Sequence, residues 1–195
     1  MLGPGPVAAH LEHALGFAEA IGAIGAIGRR GDGLYLDLGS GGGVPGLVLA
    51  TRWPASRWLF VDAHGRSADF LRGASLELDV GDRVSVIQAR AEELGRDPEY
   101  RGAARLVTAR SFGAPAVTAE CAAPFLVEGG HLVVSEPPAQ GEERWPEDGL
   151  ALLKQRLERS LRSTSGHNFV IIEQVQGAPE RFPRRTGQPK HRPLF

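Results

Sequence analysis

Between two apolar stretches the chain runs Gly39-Ser40-Gly41-Gly42-Gly43-Val44-Pro45-Gly46, with one aspartate just before it at Asp37 and another further on at Asp62. Glycines at this density let a bound group lie against main-chain N–H donors that Cβ atoms would otherwise obstruct. If a helix follows the run, its first N–H groups and its dipole favour an anionic group such as an amino-acid carboxylate. Pro45 suits the first helical position, where its missing donor costs nothing. A carboxylate about 20 residues beyond such a turn can accept hydrogen bonds from both hydroxyls of a ribose. These residue types at this spacing therefore point to the binding of a nucleoside.

Two ligands share the arrangement. Gly41, Gly43 and Gly46 spell the dinucleotide pattern G-x-G-x-x-G, with Asp62 at the ribose position. Asp37 separates the two, because an enzyme using S-adenosylmethionine places an acid there, near the methionine end, whereas a dinucleotide enzyme needs none. Asp37, Gly39, Ser40, Gly41, Gly43, Val44, Asp62 and Ala63 are thus expected around S-adenosylmethionine. A tight strand-to-helix turn with solvated aspartates would account for the glycines taken alone. Further on, Arg90-Ala91-Glu92-Glu93 offers a small side chain and a backbone amide where an adenine would lie, although alone it is simply a helix start. Thr108-Ala109-Arg110-Ser111-Phe112 closes another apolar run at the mouth of the same site. Arg110 serves equally well as a surface ion-pair residue, and Phe112 either stacks on a base or packs in the core.

The elements that must position these residues follow from the hydrophobic pattern. Short β-rich runs at 34–38, 58–62, 84–88, 106–109 and 132–135 alternate with helical stretches at 46–52, 67–78, 115–125 and 149–155. Strict alternation implies βαβ units in a mostly parallel, doubly wound α/β sheet whose ligands sit at the carboxyl ends of the strands. Residues 156–162 alternate weakly and 169–175 are β-branched, with turn residues at 164–168, so an antiparallel C-terminal hairpin is expected to complete seven strands. A helix over 156–162 is the alternative. At the front, 7–27 carries Leu11, Leu15, Ala18 and Ile21 on one helical face, read as a packing helix. Gly3-Pro4-Gly5-Pro6 before it is expected to be frayed or extended. Residues 136–149, with Pro137, Pro138 and Pro146, read as a surface loop.

Length and composition set the frame. The 195 residues suit a single domain, with 1–30 as an N-terminal helical segment and 177–195 as a basic tail. Hydrophobic residues at 42% and charged residues at 23% are ordinary globular usage, which excludes a disordered or fibrous chain. The net charge of -1 lacks the excess expected of a general nucleic-acid binder. Lysine occurs only at Lys154 and Lys190, leaving arginine to supply most of the positive charge. No apolar run approaches the ~20 residues needed to cross a bilayer, and no basic flank leads into an apolar stretch at the start, so the chain reads as cytoplasmic with no membrane partner. The lone Cys121 has no Cys or His at metal-ligand spacing and is expected to pack in a helix, with no metal.

Taken together, 37–46, Arg90-Ala91-Glu92-Glu93 and Ala109-Arg110-Ser111-Phe112 resemble the RsmG (GidB) family of 16S ribosomal RNA guanine-N7 methyltransferases. The end of the chain is similar to the family's C-terminal signature in Arg181-Phe182-Pro183-Arg184-Arg185-Thr186-Gly187, followed by Gln188-Pro189-Lys190 and Pro193-Leu194. The resemblance implies a Rossmann-like class I S-adenosylmethionine-dependent methyltransferase fold. It also implies cofactor contacts at Gly39, Val44, Ala91, Glu92 and Arg110, with Asp62 on the ribose. The implied partner is 16S rRNA or the small ribosomal subunit. Arg181, Arg184, Arg185, Lys190 and Arg192 would then meet RNA phosphates, which guanidinium forks suit; a solvated tail packed on the sheet edge is the other reading. Guanine N7 already carries a lone pair, so no catalytic acid or base is expected, and Arg110, Ser111 and Phe112 would act by position.

The chain departs from the family pattern at several points. It starts too late for the family's Asn-Leu-Thr motif. His10 matches the first position of a His-x-x-Asp-Ser helix motif whose Asp and Ser are here His13 and Ala14, so both histidines read as helix-surface residues. Glu136-Pro137 stands where Lys-Gly is common. Two further readings stay open: an offshoot that methylates a small molecule, and a non-catalytic S-adenosylmethionine-binding protein.

Overall fold

The computed structural model describes residues 3–24, 33–137 and 142–195. The apolar runs form strands β1 (Leu34–Leu38), β2 (Arg57–Asp62), β3 (Val84–Gln88), β4 (Ala104–Ala109), β5 (Leu126–Glu136), β6 (Gln155–Arg162) and β7 (Asn168–Gln174). The helices are α1 (Val7–Gly22), α2 (Gly46–Arg52), α3 (Gly65–Glu77), α4 (Ala91–Leu94), α5 (Pro115–Ala122), α6 (Glu147–Ala151) and α7 (Gln188–His191). All seven strands join one sheet in the order β3-β2-β1-β4-β5-β7-β6. The first five pair in parallel, and β7 runs antiparallel to both β5 and β6. This is the expected α/β architecture, with the hairpin in place of the alternative helix over 156–162. Among the described residues no helix is long and apolar enough to cross a membrane.

Strand alternation sends successive side chains to opposite faces, and each face carries its own core. Leu36, Leu38, Leu59, Val61 and Val107 pack with α4, α5 and α6 on one side. Tyr35, Trp58, Phe60, Leu106 and Val133 pack with α1, α2 and α3 on the other. Cys121 is buried within α5, as expected. The sheet's order steps outward from β1 in one direction and from β4 in the other. The crevice between the carboxyl ends of β1 and β4 is where such a sheet binds its ligand.

Several local expectations are corrected. The inward face of α1 is His10, Ala14, Phe17 and Ile21, whereas Leu11 and Leu15 are 44% and 43% exposed. The stripe is rotated by one residue because Phe17 meets Phe169 edge-on, with centroids 4.8 Å apart, and Gly16 lets that ring approach the backbone. The helix ends at Gly22, and the end of the segment expected to be helical, 25–27, lies outside the described residues. The helix expected over 149–155 stops at Ala151, since Lys154 takes a φ of 60° and Gln155 already opens β6. β5 extends back to Leu126, across Gly129 and Gly130, where its pairing with β4 shifts register. The stretch read as a surface loop, 136–149, buries Trp145 and begins α6 at Glu147; its residues 138–141 lie outside the described set.

Candidate functional site

The glycine run turns the chain from β1 into α2, with Gly39, Gly41 and Gly43 at φ of 69°, 52° and 79°. Those left-handed conformations are what glycine supplies at little cost. Gly46 is needed for a different reason: a Cβ there would stand 2.6 Å from Asp37 Oδ2 and 2.7 Å from the Phe60 ring. The turn is held by the two aspartates that bracket it. Asp37 accepts Thr108 Oγ1–H at Oδ1 (2.7 Å) and the Gly46 N–H at Oδ2 (3.2 Å). Asp62 accepts the Gly41 N–H at Oδ2 (2.8 Å) and the His64 N–H at Oδ1 (2.8 Å).

The environments of the two carboxyls differ. Burial pushes the Asp37 carboxyl up to about 6, against the hydrogen bonds of Thr108 and Gly46 that lower it. Asp37 also occupies the first N–H of the short α2, that of Gly46, so the anionic group at that helix end is the protein's own carboxylate. Asp62 lies on the wall of a cleft of about 580 Å³, a volume suited to a small ligand. Its Oδ2 has accepting capacity beyond the Gly41 N–H, while Oδ1 also meets the His64 ring at Nδ1 (3.1 Å).

That cleft brings together Gly39, Asp62, Ala63, Ala91, Glu92, Ser111 and Phe112 from the expected set. Leu38, Val61 and Ala89 add apolar surface, and the tail contributes Lys190 and Pro193. Asp37, Ser40, Gly41, Gly43 and Val44 do not line it; they form the turn behind it, where Ser40 Oγ–H donates to the Asp37 carbonyl (2.7 Å). The fit to S-adenosylmethionine rests on this chemistry: a prealigned carboxylate for a diol, small apolar walls for a purine, and glycine backbone between them.

Arg110 lies instead on a second cleft of about 480 Å³, which shares Ser111, Phe112 and Gly113 with the first. Its Nη2 donates to His10 Nδ1 (2.6 Å), and His10 Nε2–H donates to the Gly3 carbonyl (3.1 Å), which fixes the tautomer. Burial lowers the Arg110 pKa from its ordinary value, while Asp37 opposes the shift. Neither histidine is the surface residue expected. His10 is 5% exposed, and His13 packs against His167, Phe169 and Phe17. Burial and the neighbouring Arg110, His167 and His10 lower the His13 pKa to about 4.

The tail is neither loose nor laid on the sheet edge. Arg184 Nε and Nη2 grip the wholly buried Glu120 carboxylate at 2.9 and 2.6 Å. Gly187 N–H donates to Glu92 Oε1 (2.9 Å). Arg181 lies over the Phe182 ring, 5.0 Å from its centroid, while Arg181, Arg185, Lys190 and Arg192 are exposed. Sequence reasoning placed Thr108 at the mouth of the site without its bond to Asp37 and missed Glu120, Arg96 and Arg101; all four act through contacts more than 60 residues distant. No local pattern marks such pairs.

Comparison with known proteins shows the chain's family. Ribosomal RNA small subunit methyltransferase G of Thermotoga sp. (strain RQ2) is 37% identical over 168 residues, which cover 84% of this chain and 72% of that protein. The protein of the same name from Deinococcus deserti is 31% identical over 185 residues, covering 92% of this chain and 75% of the relative. An RNA methyltransferase from Salinibacter ruber, solved with S-adenosyl-L-homocysteine, superposes with a TM-score of 0.56 at 19% identity, covering 94% of this chain and 97% of its own. Geranyl diphosphate C-methyltransferase from Streptomyces coelicolor A3(2) gives 0.62 at 16% identity, covering 84% and 80%, which establishes the shared fold. Residues 14–164 match the family GidB, rRNA small subunit methyltransferase G. That match takes in the glycine turn, both aspartates and the strands that carry them, so the chain belongs to the GidB family and is an S-adenosylmethionine-dependent methyltransferase.

Proposed function

We propose that the chain methylates small-subunit ribosomal RNA at a guanine N7, with the donor in the first cleft and the acceptor base in the second. The observation that carries this reading is the pair of clefts meeting at Ser111, Phe112 and Gly113, in a chain whose relatives are named ribosomal RNA small subunit methyltransferases. S-adenosylmethionine, when bound, supplies a methyl group on a positively charged sulfur. On the donor side Asp62 orients the ribose, Ala63 and Ala91 line the nucleoside, and Glu92 borders the adenine. Asp37, Ser40, Gly41, Gly43 and Val44 act from behind by fixing the turn, and Gly39 lies on its surface.

Arg110 belongs to the acceptor side in this scheme, oriented by His10. Phe112 forms the partition and presents a ring to the incoming base. The N7 lone pair needs no proton removed, so the protein's work is alignment and the exclusion of water. For phosphate contacts we retain Arg181, Arg185, Lys190 and Arg192, which are exposed, and set aside Arg184, whose fork is engaged by Glu120.

The test is transfer of radiolabel from S-adenosylmethionine to small ribosomal subunits from a strain lacking the endogenous enzyme, with a small-metabolite extract in parallel. Label in rRNA, and binding that weakens steeply with salt, are expected. Label in the metabolite fraction alone would replace the RNA reading with a small-molecule one.

A further inference from the structure

The turn after β3 is short of support. α4 is a single turn of four residues without a side-chain cap, too brief to be stable on its own hydrogen bonds. Yet it carries Ala91 and Glu92 to the wall of the first cleft. Its support comes from the far end of the chain. Glu92 Oε1 accepts the Gly187 N–H (2.9 Å), and Glu93 Oε1 accepts Thr186 Oγ1–H (3.2 Å).

Just beyond α4, two arginines fasten the same segment through main-chain carbonyls. Arg101 Nη1 donates to Gly95 O (3.1 Å) and Phe182 O (2.8 Å), and its Nη2 donates to Ala178 O (2.8 Å) and Pro179 O (3.0 Å). Arg96 donates from Nε (3.1 Å) and Nη2 (2.8 Å) to Pro183 O. A planar guanidinium with five fixed donors suits this clustering of carbonyls in a way that a lysine does not. The Arg184–Glu120 pair ties the middle of the segment to α5. Beyond these ties, Lys190 and Pro193 reach the cleft itself.

We infer that residues 178–193 are a wall of the nucleoside site, and that Arg101, which does not line the cleft, is the positioning residue that fastens this wall to the adenine-side turn. The inference rests on the reading of the first cleft as the donor's. Preorganisation is the mechanism. If loss of Arg101 leaves about a tenth of the molecules with the wall in place, apparent affinity falls about tenfold. The chemistry itself is untouched, so the loss belongs to KM for S-adenosylmethionine, with kcat largely recovered at saturating donor.

The experiment is calorimetric titration of wild type and Arg101→Met with S-adenosylhomocysteine, with amide hydrogen exchange on both. Expected are a roughly tenfold weaker Kd in the variant, faster exchange over residues 90–97, and unchanged exchange in β4 and β5. In wild type, ligand is expected to protect both 90–97 and 178–193. Wild-type affinity in folded Arg101→Met would overturn the inference, as would ligand protection that spares 178–193. Should Arg101→Met fail to fold, Arg101→Lys, which keeps the charge and loses the planar fork that holds four carbonyls, replaces it; wild-type affinity there overturns the inference equally. Absence of any heat in the wild type would instead remove the donor-site reading on which it rests.

Discussion

Arg184 and Glu120 form a buried ion pair across 64 residues of sequence, with the guanidinium Nε at 2.9 Å and Nη2 at 2.6 Å from the two carboxylate oxygens. The Arg184 main-chain N–H adds a third donor type at 2.8 Å. A carboxylate with no exposure is tolerated only because its charge and lone pairs are matched in place. Arg184→Met should therefore destabilise the fold by about 3 kcal/mol, because a wholly buried carboxyl is left without its partner. Urea denaturation measures the loss. Adding Glu120→Gln to that variant should restore part of it.

Asp37 and His13 give the acid limb of stability opposite signs. The Asp37 carboxyl titrates near 6 in the fold against 3.8, so its burial penalty is present above pH 6 and is relieved as pH falls from 6 to 3.8. His13 titrates near 4 against 6.5, so its contribution is present above pH 6.5 and is lost as pH falls towards 4. Asp37→Asn should gain on wild type as pH rises from 4 to 7, by at most about 3 kcal/mol. His13→Gln should instead flatten the loss of stability below pH 6.5. Denaturation series at several pH values would show both slopes.

Gly39 and Gly73 should respond in opposite directions to alanine. At Gly39 a Cβ would meet Phe112 Cδ2 at 2.7 Å, on a backbone with φ of 69°. Gly39→Ala should cost about 1–2 kcal/mol of stability and displace the Phe112 ring. Gly73 lies exposed within α3, with nothing within 4 Å of a new Cβ. Gly73→Ala should stabilise by about 0.5–1 kcal/mol. Thermal melts of the two variants check the signs.

Asp62→Ala removes the acceptor that holds both the Gly41 and His64 N–H groups and borders the first cleft. Affinity for S-adenosylhomocysteine should fall by about 2–3 kcal/mol, because hydrogen bonds to a charged group are lost together with the order of the turn. Calorimetry reads this directly. Asp62→Asn, which keeps one carbonyl acceptor, should fall between the variant and wild type.

What was legible in the chain was the part written locally. β1, β3 and α2 match their expected bounds because an apolar run, a glycine turn and an amphipathic start all announce themselves within a few residues. The cleft residues after β2 and β3 were found by the same logic, since strand ends in a doubly wound sheet meet on one side. The histidines of α1 read as surface residues because one helical face differs from the next by a single residue, and distant partners, Phe169 for Phe17 and Arg110 for His10, decide between them. Lys190 and Pro193 were legible as a motif but not as cleft wall, because the fastening residues lie about 90 positions upstream.

The first cleft takes its floor from β1 and β2 and one wall from Lys190 and Pro193. Translation runs from the floor towards the wall, so a nascent chain that has already folded its parallel strands still presents an open-sided groove. That side of the cleft closes only after the C-terminal hairpin has emerged and the segment behind it has wrapped back.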